Sequence, residues 1–225
     1  MDTPETIAAE YLRRPVEIDI GRAVSRGWEL LMANLPMLVG ATVLAWAIGI
    51  GLGFMPLIRY FAPLVMGPIH ASLMYMFLRR IRGQQIQMGD LFLGFTVALA
   101  PLVIATVLVG ALVTVGFVLC ILPGIYLAVG YMFVMPLIID KKMDFWPAME
   151  VSRQVVQKQW WSMFLFALVM VLIACAGALL CGVGLVIAGP LIIAAMTYVY
   201  EDIFGERSAP AVILPPAPGP GEVMA

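Results

Sequence analysis

Long apolar stretches without charged residues alternate along the chain with short segments that contain the charged residues. Four stretches lack Asp, Glu, Lys and Arg, and they run from Glu29 to Arg59, from Arg59 to Arg79, from Asp90 to Asp140 and from Lys158 to Glu201. A helix of about 20 apolar residues crosses the hydrocarbon core of a bilayer. The first two stretches therefore predict one membrane span each, and the last two predict a pair each.

The resulting prediction is an all-α fold, a polytopic membrane bundle of six spans. The predicted spans are 36–58, 62–80, 96–116, 121–139, 160–181 and 184–200. The stretches lack the period-2 alternation of strands, and a helix satisfies its backbone hydrogen bonds internally, as hydrocarbon requires. Gly116, Gly182 and Gly184 lie near the midpoints of the two longest stretches. Glycine adopts dihedral angles that other residues avoid, so these residues predict the outer turns.

Three of the predicted spans contain a Gly/Pro pair near their start, namely Gly67-Pro68, Pro123-Gly124 and Gly189-Pro190. A tyrosine follows each pair within the same span, at Tyr75, Tyr131 and Tyr198. A proline inside a helix removes a backbone hydrogen bond and kinks the axis. The pattern predicts three Gly/Pro-kinked hairpins of one type. The alternative is chance similarity among apolar helices that are rich in Gly and Pro.

Each hairpin is preceded by a segment that is predicted to form a cytoplasmic amphipathic helix in the membrane interface, at 17–34, 83–95 and 144–161. In the first of them, Ile20, Val24, Trp28 and Leu31 lie three or four positions apart, on one helical face. Asp90 and Asp144 are candidate caps for two of them. The segments would either sense lipid or dock a partner, or they would only anchor the bundle.

Composition agrees with a membrane protein, since 63% of the 225 residues are hydrophobic and only 12% are charged. Soluble domains contain about 25% charged residues. The net charge of -1 provides no basic field for nucleic acid. These values exclude a soluble globular enzyme, a disordered chain and a nucleic-acid binder.

The basic residues predict the orientation. All of them except Arg59 flank the same ends of the predicted spans. The positive-inside rule then places both termini in the cytoplasm, with the chain in the cell inner membrane and no cleaved signal peptide. The predicted organisation is a polar N-terminal segment (1–16), a six-span membrane domain (17–204) and a disordered, Pro/Gly-rich cytoplasmic tail (205–225).

Few residues are candidates for chemistry. His70, the only histidine, lies within the second span, where an ionisable residue is either functional or a structural hydrogen-bonding group. Arg59 is predicted at the outer edge, where it would bind a phosphate or other anion, or extend to the headgroups without a specific partner. The candidate functional or lipid-contact residues are His70, Arg59, Trp146, Arg153, Trp160 and Trp161. The tryptophans suit the headgroup region.

The spans contain no paired catalytic groups or metal-ligand spacing, so we predict no catalytic residue, metal or cofactor and no enzymatic activity. An enzyme would need Asp90, Asp140 and Asp144 to converge at the cytoplasmic face, although carboxylates at helix ends usually act as caps.

Residues 122–164, LPGIYLAVGYMFVMPLIIDKKMDFWPAMEVSRQVVQKQWWSMF, carry a family resemblance together with GRAVSRGWELL (21–31) and GDLFLGF (89–95). The chain resembles a group of bacterial six-span membrane-protein families of unknown function, which are related to the membrane domain of glycerophosphodiester phosphodiesterases. The resemblance implies a six-helix inner-membrane protein and no particular activity. The separate catalytic domain of those enzymes is not expected here.

The expected function is that of a non-catalytic integral inner-membrane protein that packs with lipid or other membrane subunits. Its expected partners are membrane lipid and a membrane-protein partner or a second copy of itself, and not nucleic acid. The alternative is a small transporter or lipid-moving protein, in which the second helix of each Gly/Pro-kinked hairpin lines a substrate path.

Overall fold

The computed structural model describes residues 9, 11, 18–54, 61–179 and 183–205. These residues contain helices and no strand, which confirms the all-α prediction. In chain order the helices are α1 (Ile20–Ala33), α2 (Leu35–Gly53), α3 (Ala62–Ile81), a 3-10 helix (Met88–Phe92), α4 (Leu93–Val97), α5 (Leu99–Leu119), α6 (Ile121–Gly130), α7 (Val134–Lys141), α8 (Phe145–Lys158), α9 (Trp160–Leu179) and α10 (Val183–Phe204). The predictions for the tail beyond residue 205 and for most of segment 1–16 lie outside the described residues.

Five helical segments among the described residues are long and apolar enough to cross a membrane, which indicates an integral membrane protein. They are Leu35–Gly53, Leu99–Leu119, Ile121–Lys141, Trp160–Leu179 and Gly184–Phe204. The predicted second span is also a helix, α3, but it is less apolar than these five. It contains His70 and Pro68 and ends in Arg79 and Arg80, so its composition alone does not establish a sixth span.

The helices form three consecutive units whose contacts follow the same order. Each unit has a leading segment, an outer helix and a return helix, in that order along the chain. In unit 1 these are α1, α2 and α3, and in unit 3 they are α8, α9 and α10. In unit 2 the leading segment is the 3-10 helix with α4, the outer helix is α5, and the return helix is α6 followed by α7. Every outer helix packs on its own return helix, and every leading segment packs on the return helix of the preceding unit. The order is cyclic because α1 packs on α10, and this agrees with the predicted repeat of three units.

The return helices form the centre of the bundle, since α3 contacts both α7 and α10. The side chains of Phe77, Phe133, Tyr200 and Phe204 are fully buried there. The ring centroid of Phe133, which lies between α6 and α7, is 5.7 Å from that of Phe204 and 6.1 Å from that of Tyr200, both on α10. Aromatic rings at these separations add to the hydrophobic burial that holds this segment against α10.

Several glycines permit close approach between helices rather than turns. A Cβ at Gly116 would lie 3.0 Å from the Cα of Gly124, and a Cβ at Gly184 would lie 2.9 Å from the Cα of Gly177. The prediction that Gly116 and Gly184 form outer turns is therefore wrong. The turn between α5 and α6 is at Cys120, in extended backbone, and Gly182 lies outside the described residues.

The fourth predicted span is interrupted between Gly130 at the end of α6 and Val134 at the start of α7. The interruption precedes Pro136, which has no amide hydrogen to donate to Met132. The buried hydroxyl of Ser152 donates a hydrogen bond of 2.8 Å to the carbonyl oxygen of Gly130. A side chain of α8 thus satisfies a backbone acceptor at the break.

The three Gly/Pro pairs do not occupy equivalent helical positions. Pro68 and Pro190 lie inside α3 and α10. Pro123 lies in the first turn of α6, where backbone N–H groups have no intrahelical acceptor, so it interrupts no hydrogen bond. The predicted kink at Pro123 is replaced by the break before Pro136.

The leading segments begin with side-chain caps. Asp19 accepts a hydrogen bond of 2.9 Å from the amide of Arg22, and Asp144 accepts one of 2.8 Å from the amide of Phe145. Gln87 caps the 3-10 helix, and Asp90 at its third position accepts from the amide of Gln87. The cap predicted at Asp144 is confirmed, whereas Asp90 acts from within the first turn.

Gly94 lies so close to α3 that a side chain would collide with backbone. Its amide donates to the Ser72 hydroxyl at 2.7 Å, and a Cβ would lie 2.5 Å from the carbonyl oxygen of Pro68. We expect Gly94→Ala to destabilise the fold by about 1–3 kcal/mol, as overpacking does. The matched control Gly110→Ala, where a Cβ meets nothing within 4 Å, should be neutral or stabilising. Thermal unfolding in detergent compares the two; equal midpoints would contradict this close packing.

Candidate functional site

Three return helices end at one cluster of charged side chains, which we call the polar junction: Arg82, Asp140, Tyr200 and Glu201. Arg82 donates to Asp140 at 2.6 and 3.1 Å, and its Nη2 donates to Glu201 at 2.8 Å. The Tyr200 hydroxyl donates to Asp140 at 2.9 Å. Since Arg82 follows α3, Asp140 lies in the last turn of α7 and Glu201 lies in the last turn of α10, one guanidinium joins all three return helices.

The junction is partly shielded from solvent. The side chain of Asp140 is 5% exposed, that of Glu201 is 22% exposed and that of Arg82 is 28% exposed. Burial alone would lower the pKa of Arg82, but hydrogen bonds to Glu201 and Asp140 outweigh it and raise that pKa above its ordinary value. Arg82 therefore stays charged. A cavity of about 710 Å³ opens beside these groups, also lined by Tyr75 and Gln84.

Two further ion pairs connect neighbouring units. Arg26 of α1 pairs with Asp202 of α10, and its guanidinium carbon lies 4.7 Å from the ring centroid of Tyr198. Arg79 of α3 donates to Asp90 at 2.8 Å. The hydrogen bond to Asp202 is the main cause of a raised pKa for Arg26. These pairs hold the leading segments of units 1 and 2 against the preceding return helices.

In unit 3 the charged pair lies within the leading helix itself. Arg153 donates to Glu150 at 2.6 Å, three residues away on α8, and Gln154 donates to the same carboxylate at 2.6 Å. The hydrogen bond from Arg153 is the main cause of a lowered pKa for Glu150. Both side chains are therefore ionised at neutral pH.

An apolar groove adjoins this pair. It has a volume of about 370 Å³ and is lined by Leu108, Leu112, Tyr131, Trp146, Met149 and Glu150. Trp146 is 62% exposed at its rim, whereas Met149 is buried at its floor. The groove lies between the outer helix of unit 2 and the leading helix of unit 3, at the break between α6 and α7.

The structure brings only some of the predicted site residues together. Trp146 and Arg153 belong to α8, next to the groove. Trp160 instead packs on Tyr126, with ring centroids 4.9 Å apart, and Trp161 is 74% exposed. The predicted headgroup depth of these tryptophans stays a prediction.

His70 lies apart from the polar junction. It is exposed on α3 and lines a cleft of about 290 Å³ between α2, α3 and α10. The cleft is otherwise lined by apolar residues and Gly189, including Trp46 and Met66. Ser72, two residues further on, is buried on another face, as the helical spacing predicts. Arg59 lies outside the described residues.

Sequence reasoning missed the polar junction. It used Arg82 only as a flanking charge that orients the spans and Glu201 only as the end of an uncharged stretch, and it considered Asp140 only together with Asp90 and Asp144. The available signal was that opposite charges end consecutive return helices on the same predicted side. That signal predicts proximity, but it does not say which cation pairs with which carboxylate.

Arg82→Gln should destabilise the protein by about 2–4 kcal/mol, because it leaves the shielded carboxylate of Asp140 without its cation. Adding Asp140→Asn to that variant should recover part of the loss. Arg22→Gln is the control, since Arg22 and its partner Asp19 are 69% and 51% exposed, and it should change stability by less than about 0.5 kcal/mol. Thermal unfolding in detergent measures all three. Equal effects at Arg82 and Arg22 would mean that the junction contributes nothing to the fold.

Comparison of the chain with protein-family models, with curated proteins and with solved structures found no match. The resemblance to bacterial six-span families therefore stays a prediction. The residues that the structure describes are helical, include five helices long and apolar enough to cross a membrane, and contain a charged cluster that joins the central helices.

Proposed function

We propose that this chain is a six-span protein of a cell inner membrane that packs with lipid and other membrane subunits and catalyses no reaction. The observation that carries the proposal is the outward apolar surface of the outer helices. In the outer helices α2, α5 and α9, only 22%, 17% and 22% of the most apolar 18-residue stretch is buried inside the protein. The corresponding value is 44% for both α6–α7 and α10.

That surface consists of large side chains about half exposed or more. They include Ile50 on α2; Val107 and Val115 on α5; and Leu165, Val171 and Leu172 on α9. A contiguous apolar surface of this kind requires lipid or a protein partner to cover it. It is spread over all three units, which supports contact with lipid on several sides and leaves room for another subunit.

The sixth span is α3. Its 20 residues match the thickness of the hydrocarbon core. A helix surrounded by other helices needs less apolar surface than one that faces lipid. The contacts of α3 with α2, α5, α7 and α10 therefore support a crossing despite His70 and the flanking arginines.

A cytoplasmic location of the polar junction follows from the positive-inside rule. Arg26, Arg79 and Arg82 all lie in the ion pairs at this end of the bundle. The N-terminal helix α1 and the end of α10 meet there, which supports cytoplasmic termini.

A structural role for the acidic residues is favoured over catalysis. Asp90 is paired with Arg79, Asp140 is paired with Arg82, and Asp144 caps α8. Each carboxylate is thus engaged in an ion pair or a helix cap, which supports a structural role.

Reporter fusions test the topology at its least apolar helix. A periplasm-active phosphatase fused after Phe54 should be active, and one fused after Gly83 should be inactive, because α3 returns the chain to the cytoplasm. Cytoplasm-active fluorescent fusions at the same positions should give the opposite pattern. The same activity at both positions would show that α3 does not cross, and the six-span proposal would fail.

Purification in a mild detergent tests the packing role. We expect light scattering to report a homo-oligomer, or a complex with a membrane subunit in fixed stoichiometry. A strictly monomeric protein without a bound subunit in several mild detergents would contradict the subunit part of the proposal.

The transporter alternative predicts that His70 faces a substrate path. The otherwise apolar lining of the His70 cleft favours the packing role instead. A loss of uptake, efflux or lipid distribution in His70→Ala, with normal folding, would support the alternative.

A further inference from the structure

The described side-chain contacts differ among the three unit boundaries. Between units 3 and 1, Arg26 reaches Asp202, and between units 1 and 2, Arg79 reaches Asp90. Between units 2 and 3, the Ser152 hydroxyl donates to the Gly130 carbonyl and the Gln157 amide donates to the Tyr126 hydroxyl. The ion pair between Arg153 and Glu150 lies on α8, beside the apolar groove defined above.

The groove has the amphipathic character of a lipid site. Leu108 and Leu112 form one wall and are partly exposed, so the groove is open along the outer helix α5. The volume of about 370 Å³ lies within the range of small-molecule pockets, so the groove can hold part of an acyl chain. Trp146 at the rim suits the boundary between acyl chains and headgroups.

The charged pair beside the groove determines which lipid headgroups would complement it. Glu150 lines the groove directly, and Arg153 lies beside it, so the local pair is neutral overall but strongly dipolar. The side chains are 27% and 35% exposed, which leaves both accessible to a ligand. A phosphate beside Arg153 and an ammonium beside Glu150 would complement this pair. An anionic headgroup that lacks an ammonium group would bring a negative charge close to the Glu150 carboxylate and supply no cation to pair with it.

We propose that the groove between α5 and α8 binds one acyl chain of a zwitterionic phosphatidylethanolamine, with its ammonium on Glu150 and its phosphate on Arg153. The inference rests on the proposed membrane role, and it names the lipid at one position. The lipid links the outer helix of unit 2 to the leading helix of unit 3.

Native mass spectrometry tests the site with the full chain in mixed micelles that contain equal amounts of palmitoyl-oleoyl phosphatidylethanolamine and palmitoyl-oleoyl phosphatidylglycerol. We expect the wild type to retain one phosphatidylethanolamine in preference to phosphatidylglycerol. Glu150→Gln should lower the ratio of the two bound lipids about tenfold, because it removes one charge-assisted hydrogen bond.

A size change in the groove separates this site from general lipid binding. Leu112→Trp fills the groove and should lower retention of that single phosphatidylethanolamine about tenfold, through loss of its acyl-chain contact. Leu172→Trp is the matched control, because Leu172 is 59% exposed on α9, outside the groove, and it should retain wild-type binding.

Equal retention by Leu112→Trp and the wild type, or equal retention of the two lipids by the wild type, would overturn the proposal. Total bound lipid reports separately on the membrane role. A protein that binds little of either lipid would contradict the proposed membrane function itself, whereas abundant lipid without selectivity would contradict only the groove.

Discussion

A single guanidinium holds the ends of the three central helices together. Arg82 follows α3 and binds Asp140 of α7 and Glu201 of α10, and the fully buried rings of Phe77, Tyr200 and Phe204 lie on α3 and α10. The planar fork of arginine can bind two carboxylates at once, which a lysine ammonium cannot do with the same geometry. With both carboxylates bound, each return helix has a fixed position along its neighbours. The cavity beside the junction then remains bordered by groups that already have partners.

The second constraint is that buried backbone N–H and C=O groups need hydrogen-bond partners. The chain lowers the cost of the break before Pro136 through the Ser152 hydroxyl, which comes from the next unit. Gly94 likewise donates its amide to the Ser72 hydroxyl of the preceding unit. Each of these hydrogen bonds joins a leading segment to the return helix before it. In an apolar environment such bonds select one packing arrangement, because the unpaired alternative is costly.

The sequence predicts much of the helical layout for a simple physical reason. Charged residues are too costly inside hydrocarbon, so the stretches that lack them contain the membrane-length helices, such as Leu99–Leu119 and Trp160–Leu179. Glycine in a sequence is ambiguous, since its lack of a Cβ suits either a turn or a close contact between helices. Gly116 and Gly184 lie at close helix contacts, and the turn at Cys120 uses ordinary extended backbone. The break before Pro136 and the pairing of Arg82 depend on three-dimensional contacts, which periodicity along one chain does not contain.

The cyclic order of the units is the central claim, because it explains the polar junction and the hydrogen bonds that join each leading segment to the return helix before it. The contact that closes the ring is that of α1 with α10, where Arg26 meets Asp202. Its most direct measurement is cross-linking of Arg26→Cys with Asp202→Cys by a short bifunctional thiol reagent in native membranes, after Cys120, Cys175 and Cys181 are replaced by alanine. The cyclic arrangement predicts an efficient link within one chain, identified by mass spectrometry of the joined peptides. An absence of that link while both cysteines react with a monofunctional reagent would show that the first and last units do not meet.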